Sequence, residues 1–194
     1  MDRLAKRQDV RFQTGEGPYR IARTVLGEPV LMAKPSTFMN RSGVAVADLV
    51  NRYELPHDRI VVVCDDLNLP LGKLRLRTGG RSGGHQGLAS IVHQLQSTAF
   101  PRLRLGIGPP AAPAETVEFV LSPFLPHERH AVRGMVERAV EALVSVAKQG
   151  LPAAMNAWNV DYSKNCYFQV SRSSVNDNPC SRDTHGGNQK TEGR

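Results

Sequence analysis

The sequence predicts a single α/β domain, a mixed and mostly parallel sheet flanked by helices. Three observations carry this expectation. The run Ile60-Val61-Val62-Val63-Cys64 is apolar at every position, as a strand is when helices cover both faces of its sheet. Stretches near 43–53, 85–96 and 126–148 repeat apolar residues at helical spacing and alternate with strand-like runs. Two carboxylates, Asp65-Asp66, directly follow the apolar run, and open sheets of this class bind ligands just past the carboxyl ends of their strands.

In chain order, residues 2–8 read as the end of a helix. Tyr19 to Val25 and Pro29 to Lys34 are extended runs around Leu26-Gly27-Glu28, which predicts a hairpin. Ser42 is placed to cap a helix over 43–53, with Val46, Leu49, Val50 and Tyr53 on its buried face and Pro56 ending it. The strand 60–64 follows. After Pro70-Leu71-Gly72, residues 73–77 make another strand, and the glycine-rich turn from Gly79 to Gly87 opens a helix over 85–96. Leu88, Ile91, Val92 and Leu95 form that helix's buried stripe. A strand over 102–107 leads to a proline- and alanine-rich loop that reaches about residue 115. The helix over 126–148 buries Val132, Val136, Ala139, Leu143 and Val146, and Gly150 suits its C′ position. A short helix near 151–157 closes the domain. Serine, asparagine, threonine and glycine crowd the chain beyond it, which predicts a folded domain over 1–158 and a polar, disordered tail over 159–194.

Size and composition narrow the function classes. A chain of 194 residues, 40% hydrophobic and 22% charged, fits one soluble domain with a substantial core. No apolar run is long enough to cross a bilayer, and the first residues lack an apolar signal core, so no membrane role and a cytoplasmic location are expected. Cys64, Cys166 and Cys180 are an odd count without metal-ligand spacing, which argues against a disulfide framework and predicts no metal. The net charge of +7 suits plain solubility as well as it suits an acidic partner. Its pattern says more. In Lys73-Leu74-Arg75-Leu76-Arg77 the bases alternate with leucines, and Arg102-Leu103-Arg104-Leu105 repeats the arrangement. Two such strands place their bases on one face, a stripe suited to a phosphate backbone.

Several residues could carry chemistry. Adjacent side chains on an extended segment point opposite ways, so Asp65 and Asp66 are not an acid–base dyad. One of them instead orients a histidine, or simply caps the loop. The glycine turn lacks the order of a nucleotide P-loop and of a dinucleotide fingerprint, which predicts no nucleotide cofactor. Amides at the start of the 85–96 helix remain an attraction for phosphate. Asn40, between a strand and a helix, offers an amide that can hold an ester carbonyl or a water, although a plain turn residue looks the same. Phe38 and Met39 beside it form an apolar wall. Of the histidines, His85 alone adjoins this region in sequence.

Four segments taken together resemble the bacterial-type peptidyl-tRNA hydrolase family. They are Lys34-Pro35-Ser36-Thr37-Phe38-Met39-Asn40-Arg41-Ser42-Gly43, Asp65-Asp66-Leu67-Asn68-Leu69-Pro70-Leu71-Gly72, Gly83-Gly84-His85-Gln86-Gly87-Leu88 and Arg102-Leu103-Arg104-Leu105-Gly106-Ile107-Gly108. The resemblance runs to about residue 158. It implies hydrolysis of the ester joining a peptide to the 3′ ribose of tRNA, by a monomer that needs no cofactor and no protein partner. It implies that Asp65 supports a histidine base, that Phe38 and Asn40 contact the peptidyl-tRNA end, and that Arg77 and Arg104 hold tRNA phosphates. Gln86 stands where the family has asparagine. The family also carries its histidine base on a segment ahead of the first helix, and no such segment is found in this sequence. His85 matches a second family histidine rather than the base. These residues are therefore expected to turn substrate over slowly, and an RNA-binding protein of the same fold is the alternative.

Overall fold

The computed structural model describes residues 1–109 and 116–160. The end of the proline- and alanine-rich loop and all but the first two residues of the predicted tail lie outside the described residues. The elements are α1 (Asp2–Arg7), β1 (Gln13–Thr14), β2 (Tyr19–Val25), β3 (Pro29–Pro35), α2 (Ser42–Tyr53), β4 (Val62–Asp66), β5 (Leu74–Arg77), α3 (Gln86–Leu95), β6 (Arg102–Gly106), α4 (Thr116–Leu121), α5 (Arg129–Gln149) and α6 (Leu151–Trp158). Short 3₁₀ turns at Met39–Arg41 and His57–Arg59 lead into α2 and towards β4.

The strands form two three-stranded sheets, ordered β1-β2-β3 and β4-β6-β5. The sheet is mixed, as expected, but not mostly parallel. Among the described residues β4–β6 is the parallel ladder, and β1–β2, β2–β3 and β5–β6 are antiparallel. The hairpin explains part of this: Val25 opposite Pro29 fixes β2 and β3 antiparallel around Leu26, Gly27 and Glu28. The other part is β5, which runs back against β6.

Helices cover both faces. Tyr19, Ile21, Leu31 and Ala33 pack on Ala45 and Leu49 of α2, while Ala22 and Met32 on the opposite face meet Leu4 of α1 and Val140 of α5. In the other sheet Leu76 and Leu103 lie against Ala139 and Ala142 of α5 and Ala154 of α6, and Cys64 lies against Leu88 and Ile91 of α3. Leu143 of α5 packs on both sheets, so one helix spans them. The buried face of α5 is Met135, Ala139, Val140 and Ala142, shifted around the helix from the predicted set, with Val132 and Val136 half-buried.

Three local expectations need correction. Strand β4 begins at Val62 and includes both aspartates, because its ladder with β6 runs from Val62–Arg102 to Asp66–Gly106. Ser42 does not cap α2; it lies inside the helix, and its hydroxyl donates to the Met39 carbonyl (2.8 Å). Asn159, placed by sequence in the tail, is tied to the fold: its side chain accepts from the Leu76 amide (2.7 Å) and donates to the Leu76 carbonyl (3.0 Å), standing in for a strand beside β5.

Candidate active site

Strand β4 delivers Asp65 and Asp66 to different partners, as alternation on a strand requires. Asp65 Oδ1 lies 3.2 Å from His85 Nε2. His85 is the N-cap of α3, and its Nδ1 accepts the Leu88 amide proton (3.1 Å). An accepting Nδ1 fixes the tautomer, with the proton on Nε2 donated to Asp65. This hydrogen bond holds the Asp65 carboxyl below the ordinary aspartate pKa, against the opposing effect of its burial. The expected free amides at the start of α3 are thus partly used: Leu88 bonds the His85 ring, and Ala89 bonds the His85 carbonyl.

Asp66 is buried. It forms an ion pair with Arg104 Nε, and its Oδ1 accepts the Asn68 amide (2.9 Å). The predicted basic stripe is present on one face, since Arg75 lies opposite Arg104 and Arg77 opposite Arg102 across β5 and β6. Its members differ in availability. Arg77 is exposed, and Arg104 is half-buried against a carboxylate. Arg102 is buried, its guanidinium 4.4 Å from the Phe100 ring centre and donating to the Arg81 carbonyl (2.7 Å). Lys73 falls just before β5.

Asn40 and Gln86 do not line the groove that holds Asp65 and His85. Asn40 on the 3₁₀ turn and Gln86 at the first position of α3 line one shallow groove, together with Arg41, Ser90 and His93. Asp65 and His85 line a deeper neighbouring groove with Met39 and Gly87. The two meet where residues 39–40 and 85–87 pass from one to the other, so Asp65 does not share a single cavity with Asn40 and Gln86. A Cβ at Gly87 would come within 2.6 Å of Met39 Sδ, so this glycine allows the turn to sit directly on α3. Phe38 is 82% exposed and Met39 58% exposed, an apolar lip beside Asn40. Among the described residues no cluster of three or more His, Cys, Asp or Glu could hold a metal ion. Sequence reasoning missed the cap by His85, the tether of Asp66 to Asn68 and the buried state of Arg102. A histidine three residues before a buried leucine at a helix start was the available signal for the first.

The family model described as peptidyl-tRNA hydrolase matches residues 1–166. The chain belongs to the peptidyl-tRNA hydrolase family. The peptidyl-tRNA hydrolase of Chloroflexus aurantiacus is 40% identical over 161 residues, covering 82% of this chain and 86% of the relative. That of Salinibacter ruber is 42% identical over 165 residues, covering 82% and 85%. The crystal structure of peptidyl-tRNA hydrolase from Acinetobacter baumannii shares 32% identity and superposes with a TM-score of 0.76 over 81% of each chain. The 3₁₀ turn and α3 carry Asn40, His85 and Gln86, and β4 and β6 carry Asp65 and Arg104.

Proposed function

We propose that the chain acts on the ester between a peptide and the 3′ ribose of tRNA, releasing tRNA from stalled or abandoned translation products. The observation that carries this reading is the Asp65–His85 pair at the end of β4, beside Asn40 and Gln86. Binding of tRNA, a part in ribosome rescue, action as a monomer and a cytoplasmic location belong to the same reading.

The chemistry asks for a base to deprotonate water, a donor to stabilise the oxyanion, and cations for the tRNA phosphates. The amides of Asn40 and Gln86 supply donors in the shallow groove. Arg77 supplies an exposed cation, and Arg104 a partly neutralised one. Asp65 supplies the carboxylate that orients and charges an imidazole. His85 is held away from the base role because both ring nitrogens are engaged, Nε2–H by Asp65 and Nδ1 by the Leu88 amide. It acts as a positioning residue that fixes Asp65.

Deacylation of N-blocked aminoacyl-tRNA tests the reading. With the His85 nitrogens engaged, turnover is expected to be roughly 10²–10⁴-fold below that of an enzyme with a free imidazole base. Added imidazole should raise the rate, and Asp65→Asn should abolish that rescue. Full turnover without imidazole that disappears in His85→Gln would make His85 the base and overturn this assignment. Failure of the chain to bind the substrate at all would overturn the function.

A further inference from the structure

Among the described residues two charged side chains are buried, Asp66 and Arg102. Asp66 has Arg104 as its counter-charge. Arg102, two residues earlier on β6, is 2% exposed and lies over the ring of Phe100, which packs with Cys64, Leu88 and Ile91. Its Nε and Nη2 are buried without a hydrogen-bond partner, and Nη1 donates to the Arg81 carbonyl (2.7 Å). A cation in such a place opposes folding, because an apolar chain of similar length would fill it without losing hydration. What the guanidinium gains there is a hold on the glycine-rich turn.

The turn has few other holds. Gly80, Gly83 and Gly84 have φ of +138°, +59° and +86°, and a Cβ on any of them would meet nothing within 4 Å, so packing does not fix these positions. Gly79 and Gly80 are seated on Thr98. A Cβ at Gly79 would come within 2.5 Å of the Thr98 carbonyl oxygen, and the Gly80 amide donates to that oxygen (3.1 Å). Beyond them, among the described residues, the bond from Arg102 to Arg81 is the last one that a strand makes to the turn before His85. The next link is internal, from the His85 amide to the Ser82 carbonyl (3.1 Å). His85 then caps α3 through Nδ1 and meets Asp65 through Nε2.

We propose that Arg102 is a positioning residue for this site: it holds the Arg81 carbonyl and, through the turn, sets His85 and with it Asp65. A bond from a charged donor is stronger than a neutral one, and the buried side chain has little freedom to let go. This role rests on the reading of Asp65 and His85 as parts of the hydrolytic site. The pair can be watched without turnover, so the role and that reading can fail separately.

Arg102→Met exchanges the guanidinium for an apolar chain. Nitrogen NMR of the His85 ring, hydrogen exchange of the Leu88 amide and the urea midpoint are read on the whole chain in mildly alkaline solution. In the unaltered chain the two ring nitrogens should give well-separated signals, as one fixed tautomer does. In Arg102→Met they should draw together as tautomers mix, and the Leu88 amide should exchange about tenfold faster. The midpoint should hold or rise, since an uncompensated buried charge has gone. An arginine with a merely structural part would not give that combination. Arg81→Ala, which keeps the carbonyl, should leave the His85 signals apart. Unmoved signals in Arg102→Met, their loss together with a lowered midpoint, or their loss in Arg81→Ala overturns the proposal.

Discussion

Asp65 carries its charge at the end of β4 because His85 donates to it, and that fixes a pH dependence. The folded-state pKa lies below the ordinary value. The carboxylate therefore stabilises the fold fully above the ordinary aspartate pKa, and this contribution is lost as pH falls through the folded value. The stability difference between the chain and Asp65→Asn, measured by urea unfolding, should hold steady from neutral pH down to the ordinary aspartate pKa and shrink below it. A difference that grows on acidification would contradict the assigned pair. Cys64, one residue before, behaves oppositely: burial pushes its thiol up to about 11. About one part in 10⁴ is then thiolate at neutral pH, so peptide-mapped alkylation should modify Cys64 only after unfolding. The positions of both aspartates were legible from the apolar run before them, and their opposite directions from strand alternation. Their partners were not legible. His85 is twenty positions from Asp65, and Arg104 comes from a strand whose ladder the sequence does not display.

At the scale of elements, α2 and α3 cross so closely that Gly43 has no room for a side chain. A Cβ there would sit 2.1 Å from the Ser90 carbonyl oxygen, and the Gly43 amide donates to Ser90 Oγ (3.0 Å). Gly43→Ala must spread the crossing. Its expected cost is about 1–3 kcal/mol, read as a lower denaturation midpoint at unchanged slope. Because α3 begins at the His85 cap, the same variant should weaken substrate binding as well as stability. A neutral effect on both would mean that the crossing is looser than the structure has it. Helices and the hairpin were readable because periodicity and turn residues are local. The frame of β4 was not, since Ile60 and Val61 are as apolar as the paired residues and only the ladder with β6 decides where the strand starts. Ser42 misled for a related reason: its hydroxyl serves Met39 in the turn just ahead of the helix.

Across the whole molecule, the α/β class was legible from alternating periodicities, while the division into two sheets was not, because strand order depends on distant pairings. The same limit applies to the basic face. Sequence placed Arg77 and Arg104 on one stripe, but the fold gives them different electrostatic standing: Arg77 faces solvent, and Arg104 is paired with buried Asp66. A phosphate contact releases about one counterion per cation that is free to make it, which sets the slope of log affinity against log salt. Arg77→Ala should therefore lower the magnitude of the tRNA-binding slope by about 1, with uniform weakening across tRNAs. Arg104→Ala should change the slope less, because an ion pair and not a lone cation is broken. It should destabilise the fold more, since Asp66 is left buried without its counter-charge. Arg104→Ala combined with Asp66→Asn should recover part of that stability. Equal slope changes for the two alanine variants, with no difference in stability between them, would show that the Asp66 pair does not set the availability of Arg104.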